Sequence, residues 1–306
     1  MASYLTKRLL LLLFVLFGVV TLVFFLIHLI PGDPVDIMLG DTAVAADKMA
    51  LRHDLGLDQP IMRQYARYLG HVVQGDLGIS IHSRTPVLTE IMARFPASAE
   101  LMVGAMVVAL LIAFPLGILA ALKPHGLVDA SAMFFSFLGI AMPHFWLGPL
   151  LIILFSIQLN WLPVNGRGTL AHLVLPAITL GTAMAAMLSR MIRASLLDVL
   201  GEDYSRTARA KGLPERTVVL KHAMRNALVP VITVIGLQVG VLLSGAIITE
   251  AIFDWPGLGT LLLDGIHTRN YPMVQGCILF IATIYVLVNM LTDMAYGWAD
   301  PRVRVQ

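Results

Sequence analysis

The sequence predicts an all-α polytopic membrane protein with six transmembrane helices. Its residues are 58% hydrophobic and 13% charged, with a mean hydropathy of +0.83, against the roughly 25% charged usage of soluble domains. The charges also fall between six long apolar runs instead of through them. Each run meets the ~20 apolar residues that a helix needs to cross a hydrocarbon core of about 30 Å. A net charge of +2 gives no ground for a nucleic-acid partner.

The first run, Leu9 to Ile30, follows Lys7 and Arg8. It exceeds the ~7–15 residues of a cleaved signal core, and the nearest A-x-A, Ala43 to Ala45, lies well downstream. A retained anchor is expected. The next runs are Leu101 to Leu122, bounded by Glu100 and Lys123, and Ala130 to Leu159, after Asp129. Then come Gly168 to Ser189, Asn226 to Thr249 and Asn270 to Thr292, each flanked by charged residues.

Orientation follows from the short loops, because Lys and Arg are retained on the cytoplasmic side. With the N-terminus inside, the inner segments hold Lys7, Arg8, Lys123, Arg302, Arg304 and eight more cations from Arg190 to Arg225. The short outer loops hold Arg167 and Arg269. Both termini are therefore expected in the cytoplasm. The chain reads as one membrane domain, 1–306, with an external insertion at 31–100 and a cytoplasmic loop at 196–226. Apolar and aromatic residues at Leu57, Ile61, Tyr65, Tyr68 and Leu69 recur at helical spacing and predict an external helix that caps the bundle or lies on the membrane.

Small residues show where helices approach, since lipid supplies no hydrophobic drive between them. Ala105, Ala109, Ala113, Gly117 and Ala121 form one stripe; Gly181, Ala185 and Ser189 form a second; Gly236, Gly240 and Ser244 form a third. Such stripes serve either a second subunit or contacts within the chain. Prolines 115, 143, 149, 176 and 230 are expected to start or kink spans. Sixteen methionines are spread over the runs and read as adaptable core filler. Cys277, the one cysteine, sits in an apolar run and reads as packing.

The segment Glu202 to Ile232 is charged and helix-prone, with Gly212 at its middle. Gly212 suits the left-handed end of one helix and Pro214 the start of the next. A helix, a sharp corner and a second helix result, with Arg206, Arg209, Lys211, Arg216, Lys221 and Arg225 around them. Such a knob is either a docking element or a solvated positive-inside loop.

Here the chain resembles the inner-membrane permease subunits of ABC importers, in the dipeptide/oligopeptide/nickel branch. The general family motif is E-A-A, three residues, G, nine residues, I-x-L-P; aligned on Gly212, only Ala208 and Gly212 fit it. The peptide-branch variant fits better, through Asp203, Tyr204, Arg206, Thr207, Ala208, Ala210, Lys211, Gly212 and Leu213, then His222, Arg225, Asn226, Ala227 and Pro230. Further matching segments are PGDP after the first run, LGLDQP, GDLGIS, MPHFWLG, Thr233 to Gly240, DWPGLG at 254–259 and the terminal DPR. The resemblance implies the type I ABC permease fold and a coupling role for Glu202 and Asp203 through Asn226. It also implies a second homologous permease subunit in a heterodimer, two ABC ATPase subunits, a periplasmic or lipid-anchored substrate-binding protein, and residence in the bacterial inner membrane among its lipids. No G-x-x-x-x-G-K-[ST] occurs, so ATP and Mg are expected on the partner ATPases and no cofactor in this chain.

Polar groups in or beside spans are costly in lipid and mark candidate path residues: Gln238, Ser244, Glu250, Asn289 and Asp293. His28, His144, His172 and His267 lack paired spacing, so no metal site is expected. A secondary transporter usually shows internal repeats and coupling acids, and a membrane enzyme needs a nucleophile or ligand cluster. Neither pattern is present. Dipeptides, longer peptides, glutathione and nickel chelates stay open as substrates.

Overall fold

The computed structural model describes residues 2–29, 35, 44–54 and 56–299; the side chains of 2–9, 26–29, 51, 54, 241, 243–245 and 293–299 fall outside that description. PGDP at 31–34 and DPR at 300–302 lie outside the described residues, as does the side chain of His28. The described residues are mostly helical, and the only extended pairing among them is an isolated bridge between Ile79 and Pro86. The helices are α1 (Ala2–Leu29), α2 (Ala45–Asp54), α3 (Ile61–Val73), α4 (Val87–Leu122), α5 (Leu127–Ala141), α6 (His144–Leu151), α7 (Leu170–Gly201) and α8 (Asp203–Ala210). A π segment, Ile152–Gln158, extends α6. One helical turn, Glu215–Thr217, and a second π segment, Val218–Ala223, lead into α9 (Met224–Ile252), followed by α10 (Leu258–His267) and α11 (Tyr271–Ala299).

Among the described residues, four helices are long and apolar enough to cross a membrane, or five if the bent pair α5 and α6 counts as one span. The described apolar part of α1 is the shorter stretch Leu10–Phe25. The run from Ala130 to Leu159 is broken at Pro143, one of the prolines expected to start or kink a span: α5 and α6 with its π extension meet at 104°. Pro143 carries no N–H and disfavours a helical residue before it. Met142 accordingly turns extended, at φ −85° and ψ 114°. By contrast Pro149, Pro176 and Pro230 stay inside helices, as membrane helices tolerate when neighbours satisfy the freed carbonyls. α4 begins at Val87, within the 31–100 stretch read as an insertion.

The chain divides into two compact units, 1–96 with 256–286, and 97–255 with 287–306. In the first, Tyr65 and Tyr68 of α3 pack on Phe24 of α1 at ring distances of 5.3 and 5.6 Å. The Tyr65 hydroxyl lies 2.6 Å from Thr21 Oγ1. The predicted amphipathic helix is thus present and grips α1, although Leu57 falls in the turn before it. The GDLGIS segment is tied to the start of α11. Asn270 Nδ2 donates to Ser80 Oγ at 2.8 Å, and the Ile81 N–H donates to Asn270 Oδ1 at 3.2 Å. Cys277 is fully buried in this unit.

In the second unit the Ala stripe of α4 meets the small stripe of α7. Ala105, Ala109 and Ala113 are each 0% exposed. A Cβ on Gly181 would lie 2.6 Å from the Ala105 carbonyl oxygen, and one on Gly117 2.8 Å from the Ser189 carbonyl oxygen. Both stripes are therefore used within the chain. Ser136 of α5 and Ser189 of α7 share a buried hydrogen bond at 2.6 Å. Arg193 grips Asp129 with two bonds, both at 2.6 Å. On α9, a Cβ at Gly236 would overlap Thr292 of α11; the side chain of Ser244, third in that stripe, lies outside the description.

Gly181→Val is expected to lower stability by about 1–3 kcal/mol, the usual range for overpacking, read as a lower unfolding temperature of the purified protein. In the turn after α3, Asp76 accepts from the Gly78 N–H and pairs with His71 Nδ1, both at 2.9 Å. These bonds, the Gly78 one foremost, hold its carboxyl below the usual aspartate range. The contribution is complete above the ordinary aspartate pKa of ~3.9 and is lost as pH falls through the lower folded value. Amide exchange at Gly78, corrected for its intrinsic pH dependence, should rise in that acid window, and in Asp76→Asn already at neutral pH.

Candidate functional site

The corner at Gly212 begins where α7 ends. Glu202 leaves the helix, at φ −71° and ψ 153°, and its carbonyl accepts the Ser205 and Arg206 N–H groups that open α8. α8 buries one narrow face, Ser205 and Ala208. Ser205 Oγ donates to the Val199 carbonyl at 2.8 Å, so a side chain of α8 satisfies an end carbonyl of α7. At its far end the Gly212 N–H donates to Arg209 O at 2.9 Å and the Leu213 N–H to Ala208 O at 3.4 Å. This pair of bonds is the Schellman closure, which requires a left-handed residue after the cap. Gly212 supplies it with φ +79°. Nothing lies within 4 Å of a Cβ built there, so the backbone conformation alone demands glycine. Pro214 precedes the next helical turn at φ −63° and ψ 143°, at the cap and not as its first helical residue.

Two side-chain ties hold the halves of the corner together. Arg209 forks onto Glu215 at 3.1 and 2.8 Å, and its Nη1 also donates to the Leu200 carbonyl at 3.3 Å. That pairing raises the Arg209 pKa. Asn226 Nδ2, at the start of α9, donates to Tyr204 Oη on α8 at 2.9 Å. Arg206 and Asp203 are 3.9 Å apart, and both are highly exposed, so their pairing adds little.

Of the residues expected to couple, Glu202, Asp203, Tyr204, Arg206, Thr207, Ala210, Lys211, Gly212, Leu213, Arg225 and Asn226 are exposed, His222 is half-buried, and Ala208 faces inward. The structure thus presents a cationic knob with three exposed large apolar groups, Leu220 at 49%, Tyr204 at 40% and Leu213 at 36%. Ser205 and Glu215 belong to the corner but were absent from the sequence reading. An arginine and a glutamate six positions apart across a turn match no helical spacing rule.

The candidate path residues are not gathered. Gln238 on α9 and Asn289 on α11 are half-buried. Glu250 is 1% exposed and accepts a hydrogen bond from Ser98 Oγ at 2.5 Å, while Trp255 Nε1 donates to the Ala97 carbonyl at 2.8 Å. Glu250 therefore ties α9 to α4 and lies buried within the chain. The side chains of Ser244 and Asp293 lie outside the description. His144 Nδ1 donates to the Thr179 carbonyl at 2.9 Å, and His172 Nδ1 accepts the Thr169 N–H at 3.2 Å as a helix cap.

Comparison with known proteins places this helical chain among transport permeases. The chain belongs to the family of binding-protein-dependent transport system inner membrane components, whose model matches residues 113–305, with the family's N-terminal model matching 1–102. It is a multi-pass inner-membrane protein. It is similar to the dipeptide transport system permease protein DppB of Escherichia coli K12, 45% identical over 336 aligned positions and 99% of each chain. It is 46% identical over 335 positions to the di/tripeptide transport system permease protein DppB of Pseudomonas aeruginosa, covering 100% of each. The glutathione transport system permease protein GsiC of Escherichia coli K12 is 45% identical over 304 positions and 99% of each chain. The fold is shared with a chain of the MetNI methionine ABC transporter, solved in inward facing conformations, at a TM-score of 0.59 and 16% identity. That match covers 69% of this chain and 96% of the other.

A left-handed non-glycine residue costs about 1–2 kcal/mol. Gly212→Ala should therefore speed amide exchange at Gly212 position and Leu213 by about 5- to 30-fold, with exchange in α4 unchanged.

Proposed function

We propose that this chain is a permease subunit of an ATP-driven importer that moves dipeptides or short oligopeptides across the inner membrane by alternating access. The observation that carries the proposal is the full-length likeness to dipeptide permeases, joined to a rigid, exposed corner at the end of a long helix. In this reading six spans cross the membrane, with both termini in the cytoplasm and the 196–226 loop on the same side. The spans start from α1, α4, the α5 and α6 pair, α7, α9 and α11.

A second homologous permease completes the translocation path. Two ABC ATPases bind ATP and Mg and receive the knob of Glu202 to Asn226, and an external binding protein delivers substrate. Closure of the ATPase pair pulls α8, and α7 passes the displacement into the bundle as a switch between two packings. To reverse a 1:99 population the partners must supply about 5.5 kcal/mol of differential binding. The corner transmits this energy without generating it. Gln238 and Asn289 are the remaining candidates for the path wall. The glutathione permease relative favours a second reading, in which the cargo is glutathione.

Co-purification followed by reconstitution tests both readings. Binding protein loaded with a dipeptide should stimulate ATPase activity and uptake; stimulation by glutathione alone would select the second reading, and cargo movement by this chain alone would reject both. Gly212→Pro cannot adopt φ +79°. It should insert in the membrane at wild-type level while substrate-stimulated ATPase and uptake fall at least tenfold.

A further inference from the structure

α5 is 15 residues long, about 22 Å at 1.5 Å per residue, and so ends short of a hydrocarbon core of about 30 Å. In the proposed topology its break at Met142 and Pro143 therefore lies at membrane depth. α7 holds the break from one side. His144 Nδ1 donates to the Thr179 carbonyl at 2.9 Å, and a Cβ on Gly139 would lie 3.2 Å from the Thr182 carbonyl oxygen. The other side is open: Ala141 and Pro143 are exposed, as are Phe145 at 64% and Trp146 at 52%.

Three successive acceptors are left over at this break. The Met142 N–H donates to the Leu138 carbonyl, and Pro143 has no N–H to give. The carbonyls of Gly139, Ile140 and Ala141 have no hydrogen-bond partner among the described residues. Such groups are costly in hydrocarbon, and non-helical backbone at this depth occurs where it is buried in protein or lines water. Lipid tails carry no donor. A helix of a second permease bonds its N–H groups to its own carbonyls. Water and a peptide do bring donors, the peptide through its ammonium group and its main-chain N–H, whatever its side chains.

We infer that the α5–α6 break lines the translocation path, where the carbonyls of Gly139, Ile140 and Ala141 receive the ammonium group and main-chain N–H of a peptide. The inference rests on the proposed peptide importer and deepens it. A wall of backbone acceptors holds a peptide without selecting among its side chains.

The test uses the complete transporter in detergent, co-purified with its second permease and ATPases. Cys277 is the one native cysteine and is buried, so the unaltered chain sets the blank for thiol labelling. Ala141→Cys should react with a charged methanethiosulfonate reagent, whereas Leu111→Cys, 69% exposed on the unbroken helix α4, should not. Met142→Cys is the second reporter if Ala141→Cys does not assemble. Alanyl-alanine, added without binding protein, should slow the reaction, and dipeptides with other side chains should slow it equally. N-acetyl-alanyl-alanine lacks the ammonium group and should protect about tenfold less well, the usual effect of losing a charge-assisted bond. Pro143→Ala supplies an N–H for the Gly139 carbonyl and should weaken protection.

Reporters that do not react overturn the proposal, because the break then faces lipid. So do reporters that react in the isolated chain but are shielded in the complete transporter without cargo, because the second permease then covers the break. Labelling untouched by alanyl-alanine, or slowed equally by its N-acetyl form, overturns it as well. Stimulation of ATPase activity by dipeptide-loaded binding protein tests the importer reading itself, so the two failures stay distinguishable.

Discussion

The close approach of α4 and α7 is the constraint from which the larger unit is built. At Gly181 the backbones come so near that a single methyl group would overlap the Ala105 carbonyl, and the alanines on either side leave no space to relax. In lipid, where burial of apolar surface brings little gain between helices, such contact supplies the packing energy. Polar ties then set register without adding volume: Ser136 to Ser189, Arg193 to Asp129, and Ser98 to Glu250.

That packing gives the corner its mechanical meaning. α7 is a single helix from Leu170 to Gly201; its first half carries the small stripe and its last turn receives Ser205 and Arg209 from the corner. In the proposed mechanism, a displacement of α8 would act on α7, which approaches α4 closely at Gly181. The Schellman closure and the Arg209 fork make α8 and the next turn move together, whereas a corner without them would absorb the displacement in its own backbone. The Asn226 tie to Tyr204 extends the same rigidity to the start of α9.

Some of this was legible from spacing alone. Gly212 announced a left-handed helix end because few other residues tolerate that conformation, and the i+4 stripes announced close-packed faces because the rule depends only on helical period. Pro143 was legible as a break, but not its angle, since proline removes a bond without choosing the direction that follows. Glu250 misled for a different reason. It reads as a polar group beside a span, and its burial depends on groups distant in the chain, among them Ser98, 152 positions away.

By itself, the sequence determined the membrane class, the helical content, the places of close approach and the need for a corner at Gly212, because each depends on local chemistry or on periodicity. The tertiary structure decided which stripe meets which, the sharp bend between α5 and α6, the partner of Arg209 and the burial of Glu250. These depend on which distant groups come together, and no local property of a residue records its neighbour across the bundle.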